Sequence, residues 1–285
     1  MSIDKKKIIF FFIVILFYLI TTNTYFTFDE TLIFGGADGF SYMSISQDAP
    51  NIASKKIMIV HAERFFFPYL IGIISNFLNV EIFNVYKSLV LIILIILNWY
   101  LYRIFLCFKY DYLLILCSLS LVNFNPYITR FYISIPTIIN DLIFILGLTI
   151  IIFHIVRNKE NLYELSVGYL LSFLSRQSSV ALIIGYIITL ISSKKKILNL
   201  KETLIGLIIF ILSIIIIKYY SQINADLFNI DRSEYYSINM RIFGIFSQET
   251  NLLGKIKFLT LPLLSFISLI VFYIFFFKIE KKKNI

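Results

Sequence analysis

Long hydrophobic runs alternate with short polar segments along the whole chain. A membrane-crossing helix needs ~20 mainly apolar residues, so this pattern predicts an all-α fold, a polytopic transmembrane helical bundle. Six of the runs stand alone, and a polar break divides a seventh, 165–192, into two short halves, which together predict about eight spans. The six are 8–26, 82–102, 112–124, 134–156, 203–220 and 258–277.

The runs predict a single transmembrane domain over residues 1–285, in which a more polar loop, 221–257, separates the last two runs. Composition agrees with this class, because 59% of the residues are hydrophobic and only 15% are charged. The apolar share is above, and the charged share below, that of ordinary soluble domains. The two cysteines, Cys107 and Cys117, form no metal-binding spacing with a histidine.

The distribution of charge predicts the topology. If the short run 65–79 does not cross the membrane, both termini lie on one face together with 103–111, 157–164 and 193–202. That face holds 15 basic and 6 acidic residues, which accounts for the whole net charge of +9. Basic loops mark the cytoplasmic side, so we expect an inner-membrane protein with both termini in the cytoplasm. If 65–79 does cross, the first two of these internal basic segments move outside.

The basic net charge is thus a topology signal. It predicts no nucleic-acid partner, because no basic groove and no basic patch interleaved with aromatic residues accompanies it.

Arg176 interrupts the run 165–192 and allows two arrangements. A helical hairpin would place Arg176 near its outer tip, with irregular backbone lining a cavity. A single tilted helix would instead hold Arg176 near mid-membrane, at a cost of ~2.5–3.5 kcal/mol unless the side chain is paired or hydrated. Both arrangements predict a wet pocket around the guanidinium.

The polar segment 35–68 carries most of the candidate chemistry. It reads Gly-Gly-Ala-Asp-Gly-Phe-Ser-Tyr at 35–42 and His-Ala-Glu-Arg-Phe-Phe-Phe-Pro at 61–68. Polar and charged residues beside a bilayer, on an otherwise apolar chain, are expected to mark function. In the preferred topology this segment faces the non-cytoplasmic side, as 125–133 and 221–257 do.

A family resemblance follows from the order of these residues. A first span, an outer segment with Asp38 and Tyr42 spaced as Asp-x-x-x-Tyr, and Arg64 shortly before Pro68 at the start of a partly embedded helix resemble the GT-C-fold glycosyltransferases. These integral membrane enzymes use polyprenyl-phosphate-linked sugars. The resemblance covers roughly 8–192, which would be the core module, and leaves 193–285 as additional C-terminal spans. The later residues that carry the resemblance are Asn125-Pro126, Arg130, Asp141 and Arg176-Gln177.

The resemblance implies a fold with a juxtamembrane helix in the first outer loop and a role for each residue. Asp38 would be the base that deprotonates the acceptor hydroxyl, and Arg64 and Arg176 would hold the donor phosphate, for which arginine offers bidentate donors. Asp141 would assist catalysis by orienting the acceptor, or would share a divalent cation, Mg or Mn, with Asp38. The other substrate-binding candidates are Tyr42, His61, Glu63, Arg130 and Gln177.

Structural explanations exist for the same residues. Asp38-Gly39 is also typical of a turn, Glu63 of a surface ion pair, and Arg64 of an interfacial residue that extends its charge towards water. Asp141 and Arg130 could form a structural pair.

Three classes of function fit the sequence. The first is transfer of a sugar from a polyprenyl-phosphate donor to a cell-envelope glycan or lipid acceptor on the non-cytoplasmic side. The second is a polysaccharide polymerase of the O-antigen or capsule type, whose working residues would be Arg232 and Arg241 in the loop 221–257. The third is a non-enzymatic transporter of lipid-linked glycans, although the chain shows none of the repeated halves common in transporters.

Overall fold

The computed structural model describes residues 36–124, 129–157, 161–176, 179–185 and 200–229. Over these ranges the chain is mostly helical and contains no strand, as the hydrophobic pattern predicts. The predicted spans 8–26 and 258–277, and the residues Gln177, Arg232 and Arg241, lie outside the described ranges. The elements are α1 (Gly36–Asp48), α2 (Ile59–Ala62), α3 (Phe66–Leu78), α4 (Ile82–Cys107), α5 (Tyr112–Phe124), α6 (Thr129–Ser134), a 3-10 turn (Pro136–Ile138), α7 (Ile139–Arg157), α8 (Leu162–Ser175) and α9 (Leu200–Leu227).

Three of the described helices are long and apolar enough to cross a membrane. They are α4, α7 with its preceding 3-10 turn (Pro136–Arg157), and α9. They correspond to the predicted runs 82–102, 134–156 and 203–220. The predicted loop 221–257 is wrong at its start, because α9 continues to Leu227. Its polar residues there, Ser221 and Asn224, are buried against the protein and therefore do not end the helix.

The short run 65–79 forms a short helix, α3, of 13 residues. Pro68 is tolerated because it lies in the first turn, where its missing N–H would have no intrahelical partner. Asn79 ends the helix with a left-handed conformation at φ 53°. A straight helix of this length is ~20 Å long, shorter than the hydrocarbon core, which agrees with a helix that does not cross.

Helices α7 and α8 pack very closely at two glycines. A Cβ atom added to Gly147 would lie 2.5 Å from the Ser172 Oγ and 2.8 Å from the Gly168 carbonyl oxygen. Small residues at a helix interface allow such an approach in membrane proteins. The contact brings the end of α8, at Arg176, to the beginning of α7, at Asp141.

A buried polar contact fixes α1 against its neighbours. The Ser46 hydroxyl donates to the Pro68 carbonyl oxygen at 2.7 Å and lies 2.7 Å from the Tyr86 hydroxyl. Gly72 of α3 faces the same turn of α1, where any Cβ would overlap the Ser46 carbonyl oxygen. These contacts hold α1 firmly on α3 and α4, so side chains in its first turns have defined positions.

The basic segments of the chain meet at one end of the bundle. The guanidinium groups of Arg103 and Arg157 lie 5.2 and 5.7 Å from the centre of the Phe153 ring. His154 contacts Glu202 at the beginning of α9. The sequence predicted that these three regions share one face, and the structure shows them together.

Candidate functional site

Polar side chains from separate segments gather at the other end of α7, around its first turn. The segments are α1, the turn after α2, the beginning of α7 and the end of α8. Each contributes a residue that the sequence singled out: Asp38, Arg64, Asp141 and Arg176.

Asp38 lies in the first turn of a helix, not in the loop or turn that the glycine-rich sequence suggested. The stretch is helical because Tyr42, Ile45 and Ala49 fall on one face and are buried. An acidic residue is also favourable at a helix N-terminus, where the free N–H groups and the helix dipole attract negative charge. The helix presents Asp38 and Ser41, one turn apart, on the same side.

His61 connects these two residues. Its Nε2 lies 2.8 Å from Asp38 Oδ1, and its Nδ1 lies 2.9 Å from the Ser41 Oγ. The histidine side chain is only 6% exposed, whereas the Asp38 side chain is 45% exposed. The carboxylate is therefore the open end of this hydrogen-bonded chain, and the imidazole is its buried support.

Burial lowers the pKa of His61 below its usual value, an effect that the nearby Asp38 carboxylate opposes and the Arg64 charge reinforces. A neutral imidazole has one N–H and one lone pair. The Asp38 carboxylate can only accept, so His61 donates from Nε2, and its Nδ1 then accepts the Ser41 hydroxyl hydrogen.

Arg64 follows α2 and is held by its backbone. The Asn140 side-chain amide of α7 donates to the Arg64 carbonyl oxygen at 2.9 Å. The Arg64 Nη1 lies 3.5 Å from the Tyr42 hydroxyl. Burial raises the pKa of Tyr42 above its usual value, although the Arg64 charge opposes this. The Arg64 Nε is buried without a hydrogen-bond partner in the described structure, so the guanidinium retains donor capacity.

Arg176 pairs with Asp141 at 2.7 Å between Nε and Oδ1. The backbone at Arg176 is extended, with φ −147° and ψ 138°, so α8 ends there and the continuous tilted helix considered from the sequence does not form. Asp141 also lies within electrostatic range of Arg64 and Asp38. The four predicted residues therefore share one electrostatic environment.

Tyr132 of α6 belongs to the same environment. Burial raises its pKa to about 12, Asp141 acts in the same direction, and Arg176 acts against it. A phenol held neutral in this way is a hydrogen-bond donor rather than a base over the whole physiological range.

A third cation approaches the site from α9. The Lys218 Nζ lies 3.3 Å from Glu63 Oε1, and the Glu63 side chain is 6% exposed while that of Lys218 is 53% exposed. Glu63 thus forms an ion pair with a cation that the sequence analysis missed. The signal was present, since Lys218 follows four consecutive isoleucines in a predicted span, where a charge is expensive and needs a reason.

An apolar groove lies directly beside this polar group. Its volume is about 510 Å³. Phe65, the residue after Arg64, stacks on Tyr220 of α9 with ring centres 3.8 Å apart. The lining is almost entirely apolar and aromatic: Ile52, Phe65, Tyr69, Ile215, Ile216, Tyr219, Tyr220 and Ile223.

Most of the predicted site residues lie together. Asp38, Tyr42, His61, Arg64, Asp141 and Arg176 interact directly or electrostatically with one another. Glu63 is adjacent through its pair with Lys218. The side chain of Arg130 and the whole of Gln177 lie outside the described structure. Sequence analysis missed the polar neighbours Ser41, Tyr132, Asn140 and Lys218, since serine, tyrosine and asparagine are common residues that no spacing marked.

The sequence predicted that Asp38 and Asp141 could share a divalent cation. Among the described residues, no group of three or more His, Cys, Asp or Glu side chains could hold a metal ion. The two carboxylates suggested as ligands have other partners, His61 for Asp38 and Arg176 for Asp141. Dependence on Mg or Mn therefore stays a prediction from the sequence, to be checked by adding a chelator.

The comparisons with known proteins assign no family. The chain matches no protein-family model, no curated protein and no solved structure. A functional conclusion therefore depends on the geometry and chemistry of the site.

Proposed function

We propose that the protein is a membrane glycosyltransferase that moves a sugar from a polyprenyl-phosphate donor to a glycan or lipid acceptor of the cell envelope. The observation that carries the proposal is the meeting of Asp38, Arg64, Asp141 and Arg176, which come from distant parts of the chain. A partly exposed carboxylate beside two guanidinium groups is what transfer from a phosphate-linked sugar requires.

In the proposed reaction, the acceptor oxygen attacks the anomeric carbon as the bond from that carbon to the phosphate oxygen breaks. Asp38 takes the hydroxyl proton of the acceptor, and one carboxylate is sufficient because a phosphate leaves without a strong acid. Arg64 and Arg176 stabilise the negative charge that remains on the lipid phosphate. Asp141 orients Arg176 in the free protein.

The groove beside Phe65 favours a lipid-linked substrate over a soluble one. It joins an apolar wall on α9 to the residue that follows Arg64. A phosphate at Arg64 would therefore have apolar surface within reach for an attached hydrocarbon chain. Burying such a chain is favourable by ~0.8 kcal/mol for each CH₂ group, so even a few isoprene units would contribute to binding.

The direct test is transfer by the purified protein in lipid nanodiscs. Synthetic polyprenyl-phosphate sugars with a radiolabelled sugar serve as donors, and envelope lipid and glycan fractions serve as acceptors. We expect label in the acceptor fraction and release of polyprenyl phosphate. The same preparation with a nucleotide sugar should give no product, because the proposed donor is a lipid-linked sugar phosphate whose hydrocarbon chain lies in the groove beside Phe65.

The alternative functions give different results. A polymerase would depend on Arg232 and Arg241 rather than on Asp38, so activity that survives Asp38→Ala but not Arg232→Ala would favour it. A transporter would move lipid-linked sugar across a vesicle membrane without forming a new glycosidic bond.

The side of the membrane is tested separately. In a variant without Cys107 and Cys117, a cysteine at the exposed Asn84, near the beginning of α4, should react with an impermeant reagent added outside. A cysteine at Leu106, near the opposite end of α4, should be protected. The reverse result would show that 65–79 crosses the membrane, which would place Asp38 and Arg64 on the opposite side from Asp141 and contradict the proposed site.

A further inference from the structure

The residues on both sides of Arg64 contact α9. Oε1 of the buried Glu63 lies 3.3 Å from the Lys218 Nζ. The ring of the buried Phe65 stacks on that of Tyr220, with centres 3.8 Å apart and an angle of 1° between the ring planes. The turn 63–65 therefore contacts α9 at one ionic and one aromatic point, and Arg64 lies between them.

A third contact fixes the backbone of this turn from α7. The Asn140 side-chain amide donates to the Arg64 carbonyl oxygen at 2.9 Å. The turn is continuous with α2, because the Arg64 N–H donates to the His61 carbonyl oxygen at 2.9 Å, and α9 packs on α2. The Arg64 guanidinium extends to Tyr42 of α1, so the contacts with α9 and α7 fix the position from which this side chain begins.

We propose that Lys218 and Tyr220 are positioning residues that hold Arg64 in place for the donor phosphate. This inference rests on the proposed role of Arg64 as a phosphate ligand. It extends the donor site to α9, a helix that the sequence analysis placed among the additional C-terminal spans. Neither residue contacts the phosphate in this scheme, although Tyr220 also lines the apolar groove.

The physical reason is preorganisation. A guanidinium binds a phosphate through a planar fork of donors, so its orientation decides how well it binds. Arg64 belongs to a short turn, and ordering such a turn only when the ligand binds would weaken affinity, because conformational entropy is lost at that moment. The contacts of Glu63 and Phe65 with α9 order the turn before the donor arrives. A stacked ring pair alone changes an equilibrium constant by about 2- to 10-fold.

Two neighbouring tyrosines separate positioning of Arg64 from binding of the hydrocarbon chain. Tyr219 and Tyr220 both line the groove. Tyr219 is 69% exposed, whereas Tyr220 is 6% exposed and lies against Phe65. Loss of either ring removes part of the apolar wall, but loss of Tyr220 also releases the turn that carries Arg64. The two variants should therefore differ for a ligand that has a phosphate and almost no chain.

The first measurement is binding of isopentenyl phosphate, which has a single isoprene unit, and of a long-chain polyprenyl phosphate to protein in nanodiscs. We expect Tyr220→Ala to weaken binding of isopentenyl phosphate by about 2- to 10-fold, and Tyr220→Phe to restore it because the ring remains. Tyr219→Ala should weaken binding of the long-chain phosphate only. Equal affinity of the unaltered protein and Tyr220→Ala for isopentenyl phosphate would overturn the proposal.

A double-mutant cycle tests the ionic contact. Lys218→Ala should weaken binding of the long-chain phosphate by about 2- to 5-fold, the range for a partly exposed ion pair, and Lys218→Arg should restore it. In Arg64→Ala, Lys218→Ala should cause no additional loss, because a positioning residue acts only through the residue that it positions. An additional loss would show that Lys218 attracts the phosphate directly and would contradict the positioning role. Lys201→Ala, at the exposed beginning of α9, is the matched control.

Backbone hydrogen exchange decides, without any ligand, whether α9 holds the turn. Exchange of the segment 61–66, followed by mass spectrometry, should be faster in Tyr220→Ala and Lys218→Ala than in the unaltered protein. It should be unchanged in Tyr219→Ala and Lys201→Ala, and exchange in α4 should be the same in all of them, which excludes general loss of structure. Equal exchange of 61–66 in every variant would contradict the inference. If the unaltered protein binds neither phosphate, the proposed function fails, and the exchange result still decides whether α9 fixes Arg64.

Discussion

The molecule contains two histidine–carboxylate pairs of almost equal length in different surroundings. His61 lies 2.8 Å from Asp38 and His154 lies 2.9 Å from Glu202. In the first pair the carboxylate side chain is 45% exposed, and in the second it is 7% exposed. The first pair lies near the beginning of α7 with Arg64 and Arg176, and the second near its end, ~20 Å further along the helix.

The comparison shows that a short distance between a histidine and a carboxylate does not identify a functional site. The His154–Glu202 pair, called the inner pair because both of its side chains are buried, joins α7 to α9, so we expect it to contribute to stability. The His61–Asp38 pair, called the outer pair because its carboxylate is partly exposed, shares its surroundings with the guanidinium groups of Arg64 and Arg176, which is the arrangement that the proposed transfer requires. What distinguishes the two is the exposure of the carboxylate and the charge around it.

The largest difference between the pairs should be in catalysis. Asp38→Asn keeps the size of the side chain but removes the proton acceptor, and loss of a general base typically lowers the rate by ~10²–10⁴-fold. Glu202→Gln makes the same change in the inner pair and should leave the rate of transfer unchanged for protein that is folded. Both variants are compared by initial rates in nanodiscs at equal concentrations of monodisperse protein. Normal turnover by Asp38→Asn would contradict the catalytic assignment.

For stability we expect the opposite order, with a larger loss when the inner pair is broken than when the outer pair is broken. His154→Ala removes the contact between His154 and the buried Glu202 carboxylate, and breaking a buried pair costs about 3–5 kcal/mol. His61→Ala leaves Asp38 with access to water, so we expect a loss of about 1–2 kcal/mol, mainly from packing. Thermal unfolding in detergent measures both. Equal losses would mean that the exposure of the partner carboxylate does not decide the cost.

Two arginines from other segments, Arg176 beside the beginning of α7 and Arg103 beside its end, offer a further comparison. Arg176→Ala should weaken binding of polyprenyl phosphate by roughly 10- to 100-fold, because a hydrogen bond to a charged group contributes about 1.5–3 kcal/mol. Arg176→Lys should restore only part of the affinity, since lysine lacks the bidentate geometry. Arg103→Ala is the control, because Arg103 lies over Trp99 and Phe153 at the other end. Unchanged affinity in Arg176→Ala would remove the phosphate role.

The long helices could be predicted from the sequence because a membrane span is a local property of ~20 apolar residues. Their contacts could not. The close approach of α7 and α8 depends on Gly147 and Gly168 falling opposite each other, which hydropathy does not show. Glycine-rich residues 35–42 suggested a loop, but residues 36–42 are part of α1, whose face with Tyr42 and Ile45 is buried. Tertiary packing outweighed local propensity there.

The charged members of the site could be predicted in part because a charge in an apolar chain is conspicuous. Asp38, Arg64, Asp141 and Arg176 belong to this group. Ser41 and Asn140 could not be predicted, because their importance comes from positions relative to His61 and the Arg64 carbonyl group in the folded chain. Lys218 could have been found by the same rule as Arg176, because it is the one charged residue in the run 203–220.

The smallest expected difference concerns pH and isolates His61 from His154. Burial lowers the pKa of His61 in the folded protein, while in the unfolded chain it is about 6.5. Between these two values the unfolded chain binds more protons, so His61 makes folding less favourable as the pH falls from about 6.5 towards the folded pKa, and has no effect above that range. The Tm should therefore decrease by a few degrees on acidification, and His61→Gln, which cannot take up the proton, should reduce that decrease. His154 is present in both proteins, so its contribution cancels in the comparison. An identical pH dependence of Tm in the two proteins would show that His61 is as accessible to protons as it is in the unfolded chain, and that the outer pair is not supported by a buried imidazole.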